Sequence, residues 1–162
     1  MTGRFSCAVL DYGSTLTRPG SPVDPGLDMR RITPAAIEVI HELHEAGMIL
    51  VLASNTRHGQ DRREALRRAG VLERFTATLQ SATLGVAKPN PLFYRFVLAA
   101  ANVAPSRVLF VGDNMTKDVL GPLEHGMRAA LITPDADRPS LPPGAETIPD
   151  ISHLPNLLRT WR

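Results

Sequence analysis

The feature that most limits how this chain folds is an apolar run, Phe5 to Leu10, that ends in an acidic residue, Asp11. Only Ser6 and Cys7 interrupt the run, so its pattern predicts a strand that is buried on both faces. Open α/β sheets hold their ligands at the carboxyl ends of such strands, where Asp11 would lie. An aspartate in this place can also merely cap the next turn, and for this stretch alone the two interpretations carry equal weight.

The same pattern recurs along the chain, because further apolar runs alternate with amphipathic stretches of helical period. Predicted strands cover residues 48–53, 76–79, 108–111, 129–132 and 146–148. Predicted helices cover residues 34–46, 59–69 and 154–161, another begins at Asn90-Pro91, and a short one that carries Asp118 runs to Gly126. Alternating strands and helices are typical of βαβ units. The chain is therefore predicted to form a three-layer, Rossmann-like, doubly wound parallel sheet as a single domain over residues 1–162.

Two of these helices carry detailed expectations. The helix that begins at Asn90-Pro91 is predicted to bury one stripe of apolar side chains, namely Leu92, Phe93, Phe96, Val97 and Ala100. Pro122 falls inside the helix that carries Asp118, where it removes a hydrogen bond to the Asp118 carbonyl. We expect that helix to bend there.

Composition limits the class of protein. Of 162 residues, 43% are hydrophobic and 21% are charged, which is ordinary for a soluble globular domain. A formal net charge of +2 does not favour a nucleic-acid partner. The single cysteine, Cys7, excludes an internal disulfide framework and suits a reducing compartment. No apolar run approaches the length of a membrane span, so we expect a cytoplasmic protein.

Four polar clusters follow the predicted strands or the loops beyond them, at Asp11, Ser54-Asn55, Lys88, and Asp113 with Asp118. In a parallel sheet these clusters would meet at one edge. Three carboxylates can hold a hard divalent cation such as Mg²⁺, and an ammonium and a hydroxyl can bind phosphoryl oxygens. A carboxylate can also act as the nucleophile of a phosphoryl transfer.

The order and spacing of these clusters resemble the haloacid dehalogenase (HAD) superfamily. Its first motif, D-x-D-x-T after a strand, matches residues 11–15 (DYGST), and its second, an apolar strand ending in Ser or Thr, matches Ser54 in LVLASNT. Its third motif, a lysine often followed by proline, matches Lys88. Its fourth motif, G-D-x-x-x-x-D after a strand, matches residues 112–118. The resemblance extends from Phe5 to about Leu158.

The resemblance implies a role for each matching position. It makes Asp11 the nucleophile and a metal ligand, with the Gly13 carbonyl, Asp113 and Asp118 as the other groups of a Mg²⁺ site. Ser54 and Lys88 would be catalytic and would bind the phosphoryl group, and Asn55 and Thr15 would help to bind the substrate or fix the loop. The implied activity is that of a Mg²⁺-dependent phosphatase working through an aspartyl-phosphate.

One position departs from the family pattern. Most phosphatases of the family have an aspartate two residues after the nucleophile, where this chain has Gly13. Losing a general acid–base typically costs on the order of 10²–10⁴ in rate, a loss that matters less for good leaving groups such as acyl or aryl phosphates. The dehalogenase branch usually has an aromatic residue at that position and a helical cap, so dehalogenation is disfavoured.

The intervals between the motifs leave no room for a large cap domain. Residues 12–33 are rich in proline and glycine and are predicted to form a flap over the site. An open site of this kind would admit a small phosphorylated substrate or a phosphoryl group on a larger molecule. A second subunit of a homo-oligomer could also supply a lid.

Other candidate residues carry weaker signals. The arginine-rich helix after Arg57 favours a solvated face over an anion-binding one, because no aromatic residues interleave with it. His41 and His44 share a helix face with no further ligand nearby. His58 and Tyr12 are minority candidates for a substitute acid–base.

Two further hypotheses remain beside the phosphatase. Gly13 favours a low-activity or inactive phosphate-binding or protein-interaction module of the same fold. A phospho-accepting receiver domain is a weaker reading, because that fold places its reactive aspartate after a middle strand, whereas Asp11 follows the first predicted strand.

Overall fold

The fold is built on a six-stranded parallel sheet with helices on both faces. The computed structural model describes residues 3–162. The strands are β1 (Cys7–Leu10), β4 (Ile49–Ser54), β5 (Ala77–Gln80), β6 (Val108–Gly112), β7 (Arg128–Ile132) and β8 (Ala145–Ile148). Their order across the sheet is β5-β4-β1-β6-β7-β8, and every neighbouring pair is parallel. This confirms the predicted Rossmann-like architecture.

The helices cover the two faces of this sheet. They are α1 (Pro34–Glu45), α2 (Arg62–Arg68), α3 (Ser81–Leu84), α4 (Pro91–Ala101), α5 (Gly121–Glu124) and α6 (Leu154–Thr160). The predicted start of α1 is confirmed, because the Thr33 side chain accepts a hydrogen bond from the Ala36 amide at 3.1 Å and Pro34 occupies the first turn. Helix α3 forms where the sequence pattern indicates only a loop.

The core divides between the two faces because side chains alternate along each strand. On β1, Ala8 and Leu10 pack with α1 and with the apolar residues of the terminal helix, whereas Cys7 and Val9 pack with α4. All four side chains are fully buried. A strand buried on both faces is what a central position in a parallel sheet requires.

Helix α4 departs from its predicted stripe. Phe93, Tyr94 and Val97 are buried, but Leu92 and Phe96 are exposed. The buried face is rotated by about one position toward Tyr94, whose hydroxyl donates to the Lys117 carbonyl at 2.6 Å. A tyrosine can be buried with little penalty when its hydroxyl finds such a partner.

The helix that carries Asp118 changes type before it reaches Pro122. Residues Met115–Leu120 form a π-helix, and α5 continues directly from it. Gly121 at this junction lies against the Tyr94 ring, so an added Cβ would sit 2.2 Å from the tyrosine hydroxyl. π-Helical turns of this kind often occur beside functional residues, and this one carries Asp118.

The segment after β1 crosses the carboxyl edge of the sheet and includes a small hairpin, β2 (Val23–Asp24) with β3 (Met29–Arg30). The proline- and glycine-rich pattern indicates no regular structure there, so the hairpin was not predicted. Among residues 3–162, no helix is both long and apolar enough to cross a membrane.

Candidate active site

The carboxyl ends of β1, β4 and β6 are adjacent, and their alignment brings the predicted site residues together. Leu10 is in register with Leu52 on one side and with Val111 on the other. Asp11 therefore follows β1 next to Gly112 of β6, and its amide donates to the Val111 carbonyl at 3.0 Å. The polar residues at these strand ends share one edge, as parallel topology requires.

Lys88 joins two carboxylates at this edge. Its Nζ lies 2.8 Å from Asp118 Oδ1 and 3.2 Å from Asp11 Oδ1. The lysine side chain is 2% exposed, so the ammonium cannot be solvated by bulk water and depends on these partners. Because removing one partner of a buried pair leaves an uncompensated charge, Lys88 and Asp118 stabilise each other's ionised forms.

Asp113 completes an acidic cluster with Asp11 and Asp118. One carboxylate oxygen from each residue lies within 4.8 Å of the others. Burial, and then the charge of Asp11, raise the pKa of Asp113 above its ordinary value. Burial raises the pKa of Asp118 to about 6, although Lys88 opposes that shift.

Three carboxylates facing one ammonium leave an excess of negative charge. A divalent cation with oxygen ligands would compensate that excess, so the donor set fits a hard metal ion. Asp118 also fixes the cluster, because its Oδ2 accepts from the Asn114 amide at 3.1 Å while its Oδ1 accepts from Lys88.

Gly112 lets Asp118 come this close. An added Cβ on Gly112 would lie 2.2 Å from the Asp118 carboxyl carbon. No side chain fits in that space, so the glycine is required by contact with Asp118.

Ser54 ends β4 and Asn55 follows it at the same edge, and the two side chains make different contacts. Ser54 is 1% exposed, and its Oγ accepts from Arg62 Nε at 3.2 Å. The Asn55 side chain holds the main chain of Lys88, because its Nδ2 donates to the Lys88 carbonyl and its Oδ1 accepts from the Lys88 amide, each at 2.9 Å. The family resemblance implies a substrate-binding role for Asn55 and gives no sign of this anchoring contact.

The loop after Asp11 is held by residues other than those predicted. The Thr15 hydroxyl is buried and has no hydrogen-bond partner among residues 3–162. Thr17 Oγ1 instead accepts from the Ser14 amide at 3.0 Å, and Ser14 adopts a left-handed φ of 56°. Gly13 is exposed, and an added Cβ would meet no atom within 4 Å.

The two candidate substitutes for the missing acid–base are not supported. The Tyr12 hydroxyl donates to the Arg30 carbonyl, and burial raises the pKa of Tyr12 to about 12. A buried phenol of this kind, already bonded to a carbonyl, is a poor proton shuttle near neutral pH. His58 is exposed, and it is not part of the wall of a cavity that Tyr12 and Gly13 line beside Asp11.

Arg62 is the residue at this edge that sequence reasoning misjudged. Arg63, Arg67 and Arg68 of α2 are exposed, as a solvated face requires, but Arg62 is half-buried beside Ser54. The signal was present in the helical period: Arg62 precedes the buried Leu66 by four residues, so both lie on the face of α2 that points inward.

The comparisons with known proteins agree with this geometry. The family model "haloacid dehalogenase-like hydrolase" matches residues 23–126, which contain Ser54, Lys88, Asp113 and Asp118. The chain belongs to the haloacid dehalogenase-like hydrolase family. It has the Rossmann-type fold of that family.

Individual relatives show how far the similarity extends. The chain is 36% identical over 118 residues to a phosphoserine phosphatase of Thermus thermophilus, a match that covers 73% of this chain and 45% of that protein. A 2-haloacid dehalogenase structure from Pseudomonas syringae superposes with a TM-score of 0.65 at 30% identity, covering 82% of this chain and 55% of that one. The chain thus spans about half the length of these relatives.

A second solved structure matches along nearly the whole chain. An uncharacterized protein from Listeria monocytogenes superposes with a TM-score of 0.74 at 19% identity, covering 96% of this chain and 97% of that chain. At that identity the similarity concerns the fold alone.

Proposed function

We propose that this hydrolase is a Mg²⁺-dependent phosphatase that transfers a phosphoryl group to Asp11. The observation that carries the proposal is Lys88, whose buried ammonium bridges Asp11 and Asp118 at 3.2 and 2.8 Å. An ammonium beside a carboxylate nucleophile offsets the repulsion between that carboxylate and an anionic phosphate ester. The similarity to a phosphoserine phosphatase supports the same reaction class.

The proposed reaction has two steps. An Asp11 carboxylate oxygen attacks phosphorus, the bond from phosphorus to the leaving oxygen breaks, and an aspartyl-phosphate forms. Water then attacks the phosphorus of that intermediate, which releases inorganic phosphate and restores the carboxylate. Lys88 and the Ser54 hydroxyl would bind the equatorial phosphoryl oxygens, where negative charge is spread during an in-line transfer.

Asp11, Asp113 and the Gly13 carbonyl would hold Mg²⁺, with Asp118 completing the acidic cluster. The ion would neutralise charge on the phosphoryl oxygens. The fit rests on geometry, because three carboxylates with oxygens within 4.8 Å of one another repel each other and face a single ammonium. A metal that binds the ionised carboxylates would remove that repulsion.

Gly13 shapes the proposed substrate range. Neither candidate substitute takes the place of the usual acid–base, since the Tyr12 hydroxyl is bonded to the Arg30 carbonyl and His58 lies outside the wall of the cavity beside Gly13. Without a proton donor, a leaving group that is stable as an anion departs most readily. We therefore propose small aryl and acyl phosphates as better substrates than simple alkyl phosphates.

The test is a panel of aryl, acyl and alkyl phosphates assayed with and without Mg²⁺. We expect Mg²⁺-dependent phosphate release that Asp11→Asn abolishes, together with a phosphoprotein, cleaved by alkali and by hydroxylamine as an acyl phosphate is, that forms in the wild type and not in Asp11→Asn. 2-Chloropropionate belongs in the same panel, because one structural relative is a 2-haloacid dehalogenase. Chloride release from it would favour that chemistry instead.

A folded protein that binds Mg²⁺ and turns over none of these esters would contradict the phosphatase. That outcome would favour the module hypothesis, in which the same residues bind a phosphoryl group without hydrolysing it. Binding of inorganic phosphate measured by calorimetry would then identify the retained function.

A further inference from the structure

Arg62 differs from the other arginines of its helix because it is half-buried and has no carboxylate within 4.0 Å among residues 3–162. Arg63 pairs with Asp61 at 2.8 Å, whereas Arg67 and Arg68 pair with Glu64. Among residues 3–162, the side-chain contacts of Arg62 are Ser54, Met29 and Tyr12, and none of these is a carboxylate. A cation withdrawn from water without an anionic partner is unfavourable unless something else compensates its charge.

The contacts of Arg62 leave one side of its guanidinium available. Its Nε donates to Ser54 Oγ at 3.2 Å, its Nη1 contacts Met29 Sδ at 3.6 Å, and its Cζ lies 4.2 Å from the centre of the Tyr12 ring. A guanidinium has five N–H donors in a planar fork. The remaining donors on Nη1 and Nη2 have no partner in the part of the chain that the structure describes.

Arg62 lines a cavity of about 410 Å³ that begins beside the nucleophile. Tyr12 and Gly13, the two residues after Asp11, form one wall, and the loop of Asn55 and Arg57 forms another. This volume is in the usual range for small-molecule sites. A group leaving from a phosphoryl on Asp11 would pass over Gly13 into this space, because Gly13 has no side chain to fill it.

The charges around this cavity do not balance. Asp28 is the one carboxylate in its wall, and it already lies 3.9 Å from Arg57. Arg30 also lines the cavity, but it is exposed and its Nε donates to the Ser21 carbonyl at 2.6 Å. Arg30 and Arg62 are thus the two arginines of this wall without a carboxylate partner among residues 3–162, and Arg62 is the half-buried one, so its charge favours a negative group on a ligand inside the cavity.

We infer that this cavity is a subsite for the leaving group and that Arg62 binds a carboxylate carried by that group. This inference rests on the phosphatase proposed above and names its substrate class: phosphate monoesters whose leaving group bears a carboxylate. A guanidinium fork binds a planar carboxylate through two parallel hydrogen bonds. Arg62 also donates to Ser54 Oγ, so it links the leaving-group subsite to the predicted phosphoryl-binding hydroxyl.

A purely structural role for Arg62 makes a different prediction. In that case Arg62 would only hold the β2–β3 hairpin through Met29 and support the Tyr12 ring. Its loss would then lower stability and would reduce activity toward every ester equally. A substrate-binding role instead changes the ratio between charged and uncharged substrates, which a general loss of stability leaves unaltered.

The experiment compares 3-carboxyphenyl phosphate with its uncharged analogue, 3-carbamoylphenyl phosphate, at saturating Mg²⁺. We expect the wild type to favour the carboxylate ester by about tenfold or more in kcat/KM, since a hydrogen bond to a charged group contributes more than a neutral one. Arg62→Met should bring the ratio close to one, and Arg62→Lys should retain part of the preference. Arg67→Met, which removes an exposed arginine of the same helix paired with Glu64, should leave the ratio unchanged.

Equal kcat/KM values for the two esters in the wild type, or an unchanged ratio in Arg62→Met, would overturn the inference while the phosphatase stands. Absence of turnover in the wild type would overturn the phosphatase. In that case, calorimetric binding of both esters to Asp11→Asn, with and without Arg62→Met, still decides the role of Arg62. Preferential binding of the carboxylate ester that requires Arg62 supports the subsite, and equal binding rejects it.

Discussion

Asn55 holds the main chain of Lys88 from both sides, accepting from its amide and donating to its carbonyl, each at 2.9 Å. These two hydrogen bonds join the loop after β4 to the loop before α4, which are 33 residues apart in the chain. The Lys88 ammonium then reaches Asp11 and Asp118. The position of the bridging cation thus depends on an amide that does not itself contact either carboxylate in the structure.

Replacing Asn55 by alanine tests this dependence. Loss of both hydrogen bonds should lower the free energy of unfolding by about 1–3 kcal/mol. It should lower kcat by about tenfold or more, because small displacements of a positioned group are costly in catalysis. Steady-state kinetics on an aryl phosphate and chemical denaturation measure the two effects.

Asn90→Ala provides the matched control for that variant. Asn90 caps α4 by accepting from the Leu92 amide at 2.9 Å, and losing such a cap costs about 1 kcal/mol. Its loss should leave kcat within about twofold, since Asn55 still holds Lys88. Equal losses of kcat in the two variants would show that general stability, and not the anchoring of Lys88, determines the rate.

The sheet was predictable from the sequence because a parallel strand buried on both faces leaves a continuous apolar run. The runs that became β1, β4 and β6 are of this kind, and each structural boundary falls within about two residues of its prediction. The acidic cluster followed from topology alone, since the ends of parallel strands share an edge. Lys88 was placed at the same edge because it lies in the loop beyond a predicted strand, and the family resemblance then gave it a role.

The roles of Asn55 and Arg62 depend on which distant segment of the chain each side chain contacts. A sequence pattern gives the face of a helix or strand, but it does not give the partner of a loop side chain 33 residues away. The prediction of the buried face of α4 was wrong for a related reason. Its apolar period fits Leu92 and Phe96 as well as Phe93, and a single hydrogen bond from Tyr94 to Lys117 accompanies the rotation that exposes them.

Gly112→Ala should disrupt the acidic cluster while leaving the rest of β6 in place. The added methyl group would lie 2.2 Å from the Asp118 carboxyl carbon, so either Asp118 or the strand must move. Overpacking of this kind costs about 1–3 kcal/mol. We expect that loss in denaturant unfolding together with weaker Mg²⁺ binding in calorimetry. Gly3→Ala, whose Cβ approaches nothing closer than 3.8 Å, should change neither measurement.

The stabilising effect of Mg²⁺ should increase with pH. Burial raises the pKa of Asp118 to about 6, so the folded protein holds this proton more tightly than the unfolded chain. Stability contributed by Asp118 is therefore highest at low pH and is lost as the pH rises from about 4 to about 6. A metal ion competes with that proton for the ionised carboxylate, so it binds best above this range.

Differential scanning calorimetry tests whether the stabilisation by Mg²⁺ increases with pH. We expect Mg²⁺ to raise Tm more at about pH 7.5 than at about pH 5, when compared with NaCl of equal ionic strength. Asp113→Asn should reduce the shift at the higher pH. Asp135→Asn, which removes an exposed carboxylate paired with Arg138, should preserve it. An equal or larger shift at the lower pH would contradict a cluster of carboxylates as the binding site.

Gly13→Asp should supply the missing acid–base group. An added Cβ at Gly13 meets no atom within 4 Å, and Gly13 lines the cavity beside Asp11, so a carboxyl group can be built there without displacing a neighbour. General acid–base catalysis contributes about 10²–10⁴ in rate, and it matters most for leaving groups of high pKa. We therefore expect Gly13→Asp to raise kcat for an alkyl phosphate more than for an aryl phosphate.

Gly13→Asn separates proton transfer from shape in this experiment, because the amide has the same size and cannot act as an acid or a base. We expect the gain on alkyl phosphates in Gly13→Asp alone, with a pH–rate profile that acquires a new limb from the added carboxyl group. Identical kinetics for the two variants would show that the new side chain does not reach the leaving oxygen. The slope of log kcat against leaving-group pKa would then stay as steep as in the wild type.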